Sequence, residues 1–209
     1  MTTMTHAPGA HAPVHRDDVG SRMGMWLFLF TELILFGGMF LAYAVYRSMH
    51  PEQFKLAAEE MSTLLGTINT LVLLTSSMTV ALSITAIQRG NKRLSMLFVA
   101  LTILLALVFL VDKYFEWGHH FAMGIFPGSP QLDSRSAGEI LYFGLYYVMT
   151  GLHGLHVIIG MIVLTFDLVF IARGSINQDS HVKLEAGALY WHLVDIIWIF
   201  LFPLFYLLH

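Results

Sequence analysis

The ionisable residues of this chain that could do chemistry stand inside strongly apolar runs. Glu32 lies in FLFTELILF, and His153 and His156 lie three residues apart in TGLHGLHV. His192 and Asp195 lie three residues apart in YWHLVDIIW. Carboxylates and imidazoles in such surroundings can relay protons, ligate a metal ion or hydrogen-bond one helix to another. Because an ionisable group is costly in hydrocarbon, each of them is expected to face protein, water or a lipid headgroup.

Metal binding by these residues would need more ligands than the sequence supplies. His153 and His156 could share one ion at their i,i+3 spacing, but a haem or copper centre needs further ligands, and the last apolar run offers only His192. The chain has no cysteine, which excludes disulfides, thiolate nucleophiles and iron–sulfur sites. We therefore predict no catalytic residue and no metal in this chain. Two further histidine groups are weaker metal candidates: His119 with His120, and His6, His11 and His15.

The composition indicates a membrane protein. Hydrophobic residues make up 56% and charged residues 12% of the chain, with a mean hydropathy of +0.69. That charged fraction is about half the usual value for a soluble domain, and a soluble protein of this composition would expose large apolar patches. The formal charge of −3, with no basic run, argues against nucleic acid as a partner.

Five apolar segments reach the ~20 residues that a helix needs to cross a bilayer. The predicted fold class is therefore all-α, a polytopic membrane protein with five transmembrane helices. The spans run over approximately 23–46, 64–87, 94–117, 140–172 and 187–208. The fourth exceeds the bilayer thickness and should tilt or project. Residues 1–22 form a polar, histidine-containing tail without the features of a signal peptide, so the first span itself is expected to direct insertion. Residues 23–209 are expected to be one membrane domain.

The distribution of basic residues orients the five spans. With the N-terminus in the cytoplasm, the cytoplasmic segments hold seven Lys and Arg residues and the external loops hold three. The clearest single indicator is the turn between the second and third spans, which carries Arg89, Lys92 and Arg93. The positive-inside rule then predicts a cytoplasmic N-terminus and a periplasmic or external C-terminus.

Polar residues in the second and third spans are typical of helix packing. Asn69, Ser76 and Ser83 recur every seven residues, and small polar residues at that spacing allow membrane helices to approach and hydrogen-bond. A transport pathway is the alternative interpretation of the same pattern. Near the external end of the third span, Asp112, Lys113 and Glu116 are spaced to form one local charge cluster.

The fourth span has two distinct faces. Gly144, Gly151 and Gly154 lie on one side, as a close-packing groove would require. The opposite side carries Tyr142, Met149, His153, His156 and Asp167. In the fifth span Trp191, Asp195 and Trp198 share a face with His192 at its edge, so we expect these polar faces to form an inter-helix network.

Glu32, the only acid of the first span, has three interpretations. Its carboxyl can hydrogen-bond another helix, act in a proton relay, or anchor a polar group in a lipid-filled cleft. The sequence of the span does not distinguish these three interpretations.

These motifs, taken in order along the chain, resemble subunit III of haem–copper respiratory oxidases. The resemblance extends from about Gly24 to Tyr206, and many members of that family have seven spans, so the sequence is similar to the shorter bacterial form. It implies a subunit of a proton-translocating cytochrome c oxidase, without a catalytic centre of its own, in the bacterial inner membrane. The implied partners are subunit I as the main contact, subunit II, a small subunit IV and membrane phospholipid, with haem and copper held in subunits I and II.

The resemblance extends to individual residues: Glu32 matches the family's membrane carboxylate, and the family's motif positions are matched by His153, His156, Trp191, His192 and Asp195. It implies a lipid- or proton-related role for Glu32, His153 and His156. From their positions on the helices we expect a helix-packing or subunit-interface role for Asn69, Glu116, Trp191, His192 and Asp195. A quinol oxidase, or an accessory role beside a nitric oxide reductase, stays open because the donor is not contacted by this subunit. An independent transporter would show inverted repeats or broken spans, and neither is found in the sequence.

Overall fold

The computed structural model describes residues 18–208, and helices make up most of this range. In chain order they are α1 Asp18–Met49, α2 Pro51–Ala58, α3 Thr63–Gln88, α4 Lys92–Ala122, α5 Pro130–Asp133, α6 Ala137–Ala172 and α7 Val182–Tyr206. Within the described residues, α1, α3, α4, α6 and α7 are long and apolar enough to cross a membrane. The predicted all-α fold with five membrane helices is confirmed.

Each of these five helices begins earlier than the apolar segment that predicted it. Hydropathy marks only the apolar residues, whereas polar residues can form the first turn of a helix, and at α4 and α6 a capping side chain stabilises that turn. Asn91 accepts from the Leu94 amide at the start of α4, and Ser136 forms a capping box with Glu139 at the start of α6. The described end of the predicted tail, from Asp18, is helical. His6, His11 and His15 lie outside the described residues.

Four of the long helices form a closed ring. The helix α3 packs against α4 and α7, and α6 packs against the same two helices, so α4 and α7 stand diagonally opposite. Large aromatic side chains fill the centre of the ring, among them Trp191, Trp198 and Tyr146. The remaining long helix, α1, lies outside the ring against α6 and α7, and most of its surface is exposed.

A glycine outside the predicted groove also permits a close approach of α6 to another helix. A Cβ on Gly144 or Gly154 of α6 would meet nothing within 4 Å, and one on Gly151 would meet only the Trp117 ring. Within the described residues this face of α6 therefore meets another helix closely only at Gly151, through Trp117 of α4, and the close-packing role of Gly144 and Gly154 stays a prediction. The tight contact is at Gly160, where a Cβ would lie 2.7 Å from Cε3 of Trp191.

The turn between α3 and α4 closes one end of the ring. Gly90 adopts φ +75, a conformation that glycine takes readily, and the chain reverses directly into α4. The Lys92 ammonium donates to the carbonyl of Ala172 at 2.8 Å. This contact places a positive charge at the C-terminal end of α6, where the helix dipole favours it.

Candidate functional site

The polar groups inside the membrane helices gather into three sets: a contact between α1 and α6, a seam between α3 and α7, and a cluster at the later ends of α4 and α7. The first set joins the outer helix to the ring. Nε2 of His156 lies 2.9 Å from Oε2 of Glu32, and both side chains are largely buried. The pairing favours an inter-helix bond as the role of Glu32 over an isolated polar anchor.

The hydrogen bonds of His156 determine how many protons this contact holds. Nδ1 lies 2.7 Å from the carbonyl of Leu152, which can only accept, so Nδ1 carries a proton. The bond between Nε2 and Glu32 then needs one more proton, which resides either on the imidazole or on the carboxyl. In both arrangements the pair is neutral overall and shares a single proton across 2.9 Å.

Two further polar contacts hold α1 against α7. Arg22 donates to a carboxylate oxygen of Glu185 at 2.8 Å near the start of both helices. At the other end of α1 the Tyr43 hydroxyl donates to the carbonyl of Leu204. The contact between Glu32 and His156 of α6 lies between these two contacts along α1. Polar contacts to α6 and α7 therefore hold α1 at three positions along its length.

The second set lies along the seam between α3 and α7. The Trp191 indole donates to Ser76 at 3.0 Å and the Trp198 indole donates to Thr70 at 3.1 Å. Ser77 Oγ lies 2.6 Å from Nδ1 of His192. The expected inter-helix role of Trp191 and His192 stays a prediction, and these bonds support it.

Asp195 does not complete the network that the sequence predicted. It is 3% exposed, and neither carboxyl oxygen accepts a well-formed hydrogen bond from the described residues. The Ser77 side chain lies beside this carboxyl, but its short contact is with His192. Asp195 therefore has polar neighbours without a satisfied hydrogen bond.

The third set is a buried ion pair surrounded by aromatic rings. Lys113 Nζ lies 3.0 and 3.1 Å from the two carboxylate oxygens of Glu116. The Tyr206 hydroxyl donates to Glu116 at 2.5 Å, and the Tyr146 hydroxyl donates to the same oxygen. The ammonium also lies 4.7 Å from the centroid of the Trp198 ring, where a cation is attracted to the aromatic face.

Asp112 acts on this ion pair only through its charge, which interacts with Lys113. The sequence grouped it with Lys113 and Glu116 in one cluster, but the Asn69 amide donates to its carboxylate at 2.5 Å across the seam between α3 and α4. Adjacent residues on a helix point about 100° apart, so Asp112 and Lys113 face different neighbours. Asn69 is fully buried together with Ser76 and Ser83, which supports the packing interpretation of that heptad.

His153 is not brought together with His156 at a shared ligand site. Its ring is fully buried between Phe109 and Trp198, with centroid separations of 5.6 and 5.3 Å. Neither ring nitrogen has a hydrogen-bond partner among the described residues. Asp167, on the same face of α6, packs directly against Gly187 of α7.

Sequence reasoning placed Lys113 only in a local charge cluster, and it assigned no site role to Tyr146, Tyr206 or Ser77. Lys113 was placed near the external interface, yet it is only 9% exposed. The available signal was its position as a lone cation in an apolar span, a pattern typical of a residue that faces the protein interior. The two tyrosines gave no signal, because a tyrosine in a membrane helix is as typical of an interfacial ring as of a buried donor.

Two open apolar grooves accompany these polar sets. One of ≈ 580 Å³ lies between α4 and α6 and is lined in part by Trp117, Gly151 and Gly154. The other, ≈ 630 Å³, lies between α1 and α7 beside Phe40 and Phe200 and carries Arg47 on its wall. Both have the apolar lining that an acyl chain requires.

No group of three or more His, Asp or Glu side chains within residues 18–208 is arranged to hold a metal ion. His119 and His120 are neighbours with ring centroids 6.4 Å apart, and His120 is buried against Phe143 and Tyr146. The prediction that the whole chain binds no metal stays a prediction, to be tested on the purified chain.

Comparison with known proteins gives matches over nearly the whole chain. The sequence model of the cytochrome c oxidase subunit III family matches residues 2–209. Cytochrome c oxidase subunit 3 of Thermostichus vulcanus is 34% identical over 203 residues, covering 95% of this chain and 91% of the relative. The probable quinol oxidase subunit 3 of Staphylococcus haemolyticus is 31% identical over 188 residues, covering 90% of this chain and 89% of the relative.

A third relative is a longer protein. The heme-copper oxidase subunit I+III of Aeropyrum pernix is 32% identical over 203 residues, which are 94% of this chain but 23% of the relative. The chain thus spans about a quarter of that protein's length, and the name of that protein joins two subunits.

Proposed function

The chain belongs to the cytochrome c oxidase subunit III family, and on that premise we propose that it is the non-catalytic subunit III of an aerobic haem–copper oxidase. The observation that carries the proposal is the family match over residues 2–209. In this role the chain packs on subunit I, holds phospholipid, and supports proton uptake and stability during turnover. Haem and copper reside in subunits I and II, and this chain contributes no redox ligand.

Several features support the individual parts of this role. The relative whose name joins subunits I and III supports subunit I as the main partner. The two apolar grooves support bound phospholipid, and Arg47 offers one of them a charge for a phosphate. The proton shared between Glu32 and His156 supports a proton-related role for this pair. Subunit II and a small subunit IV are further proposed partners, and the bacterial inner membrane is the proposed location.

Cytochrome c is the proposed electron donor of the complex, and a quinol is the second candidate. The name of the Staphylococcus haemolyticus relative favours the second, and that of the Thermostichus vulcanus relative favours the first. Whether cytochrome c or a quinol is the donor depends on subunit II of the complex. Purified oxidase that contains this chain should oxidise reduced cytochrome c, and activity with a quinol alone would select the alternative.

The proposed function is tested by affinity purification of the tagged chain from native membranes. We expect subunit I, with its haem absorbance, to copurify with the chain. The chain produced alone should show no haem absorbance and no stoichiometric copper or iron. An oxidase lacking the chain should start near the normal rate and lose activity sooner during turnover. One equivalent of metal on the isolated chain would contradict the non-catalytic role.

A further inference from the structure

Asp195 is a carboxyl enclosed near the middle of the membrane helix α7. The residue is 3% exposed, and both of its oxygens are buried without a well-formed hydrogen bond from the described residues. Burial and the Ser77 side chain are the influences that act on this carboxyl, and no cation within residues 18–208 pairs with it. An ionised carboxylate here would be costly, because it needs several donors to replace its hydration.

The hydroxyl of Ser77 connects Asp195 to His192. Oγ of Ser77 on α3 lies 2.6 Å from Nδ1 of His192 on α7, and the Ser77 side chain lies beside the Asp195 carboxyl. A serine hydroxyl has one proton to donate and two lone pairs with which it can accept. Ser77 can therefore hydrogen-bond both neighbours if it donates to one of them and accepts from the other.

Two arrangements of protons satisfy this condition. If Asp195 is ionised, Ser77 donates to the carboxylate and Nδ1 of His192 donates to Ser77. The buried carboxylate then has a single donor, and Nε2 of His192 becomes an acceptor without a partner among the described residues. If Asp195 is neutral, its O–H donates to Ser77, Ser77 donates to Nδ1, and no buried charge is left. The neutral arrangement avoids the desolvation of an unpaired carboxylate, so the geometry favours it.

Other titratable groups near this part of α7 are held elsewhere. Lys113 of α4 packs against the Trp198 ring, but its ammonium is paired with Glu116. His153 of α6 packs against the same ring. Neither of these two side chains forms an ion pair or a hydrogen bond with Asp195. The protonation of Asp195 is therefore set by its enclosure and by Ser77.

We propose that Asp195 is a proton-binding site of this chain, a neutral acid that donates to Ser77, which in turn donates to Nδ1 of His192. The bound proton is distinct from the one that Glu32 and His156 share between α1 and α6. His192 is then the tautomer that carries its hydrogen on Nε2. The inference does not depend on the proposed function, because it requires only the folded chain in a membrane.

The proton of Asp195 exchanges with water through Ser77 and His192. Both carboxyl oxygens are closed off inside the chain, whereas the side chains of Ser77 and His192 are partly exposed. In one exchange step Asp195 passes its proton to Oγ of Ser77, and Ser77 passes its own proton to Nδ1. Nε2 of His192 then gives up its proton to a water molecule that reaches the surface, and the reverse steps return a proton from water to the carboxyl.

Infrared spectroscopy of the full chain in lipid vesicles tests the protonation of Asp195. At neutral pH we expect a carbonyl band of a protonated carboxyl that is lost in Asp195→Asn, a variant whose amide still donates to Ser77. The matched control is Asp179→Asn in the exposed loop before α7, which should lose carboxylate absorption and no protonated band. Loss of carboxylate absorption alone in Asp195→Asn would overturn the proposal.

A pair of variants at position 77 tests the connection to His192. Thr and Val have nearly the same shape, but only Thr keeps the hydroxyl. In heavy water the Asp195 band of Ser77→Thr should shift at close to the wild-type rate. In Ser77→Val the exchange should be about tenfold slower, because the path has lost one hydrogen-bonded group. Equal exchange rates in the two variants would overturn the route through Ser77.

The same pair keeps the proposal falsifiable if Asp195→Asn does not fold. Loss of the hydrogen bond to Ser77 should move the Asp195 carbonyl band to higher wavenumber in Ser77→Val and leave it in place in Ser77→Thr. An identical spectrum for wild type and both variants would contradict a neutral acid bonded to Ser77. Nitrogen NMR of the chain labelled in histidine should find hydrogen on Nε2 of His192, with the signal assigned by its loss in His192→Gln. Hydrogen on Nδ1 instead would contradict the proposed direction of the hydrogen bonds.

Discussion

Gly160 of α6 lies directly against the indole ring of Trp191 on α7. A Cβ at position 160 would be 2.7 Å from Cε3 and 2.9 Å from Cζ3 of this ring. The indole is fully buried and bonded to Ser76, so it has no free direction in which to move. The absence of a side chain at position 160 therefore sets the distance between α6 and α7, and through Trp191 the distance to α3.

Gly160→Ala should destabilise the chain by about 1–3 kcal/mol, because the added methyl overpacks the contact with Trp191. Gly154→Ala is the matched control on the same helix, where a Cβ would meet nothing within 4 Å. That change should be neutral or stabilise the helix by up to about 1 kcal/mol. Thermal denaturation of the two purified variants in detergent compares them, and equal midpoints would contradict this packing.

The difference between these glycines shows which features of helix packing could be predicted from the sequence and which could not. Periodicity placed Gly144, Gly151 and Gly154 on one face correctly, but it could not determine what that face meets. Gly160 gave no pattern, since its importance depends on a tryptophan 31 positions later in the chain. A helical period assigns residues to faces, whereas the pairing of faces is decided by three-dimensional packing.

The same distinction applies to the polar residues. The five membrane helices followed from hydropathy alone, because a bilayer demands long apolar segments. Glu32 and His156 were singled out separately, but they lie 124 positions apart and nothing in the sequence paired them. Lys113 and Glu116 could be paired because their three-residue spacing makes the contact local.

Glu32 should react with a hydrophobic carbodiimide in native membranes. The reagent partitions into the bilayer and needs a carboxyl with a proton at hand, which the contact with His156 provides. Glu32→Gln should abolish the labelling without preventing assembly. Glu139→Gln, which alters a carboxyl in the first turn of α6, should leave the labelling unchanged. Labelling that survives in Glu32→Gln would show that another group reacts.

The orientation of the chain is open to a fusion test. Basic residues near the turn between α3 and α4 predict that this turn lies in the cytoplasm and that the C-terminus lies outside. Alkaline phosphatase fused after His209 should be active, since it requires the external side. The same enzyme inserted after Gly90 should be inactive, and the reverse result at the two positions would overturn the orientation.

The buried ion pair between Lys113 and Glu116 should be needed for the stability of the folded chain, because each charge offsets the other. The carboxylate accepts from Lys113 at both oxygens, and Oε1 also accepts from Tyr146 and Tyr206. Lys113→Met removes the cation and leaves a buried negative charge, a change expected to cost about 3–5 kcal/mol. Arg93→Met is the control, because Arg93 is exposed and should change stability by less than about 0.5 kcal/mol.

The double variant Lys113→Met with Glu116→Gln separates charge from packing. Because the second substitution removes the charge that the first leaves unpaired, the double variant should be more stable than Lys113→Met alone. The two tyrosine hydroxyls can still donate to the amide oxygen of the glutamine. Thermal denaturation of the four proteins of this cycle in detergent measures the coupling. Strictly additive losses would mean that Lys113 acts through its contacts with the Trp198 and Tyr206 rings rather than through Glu116.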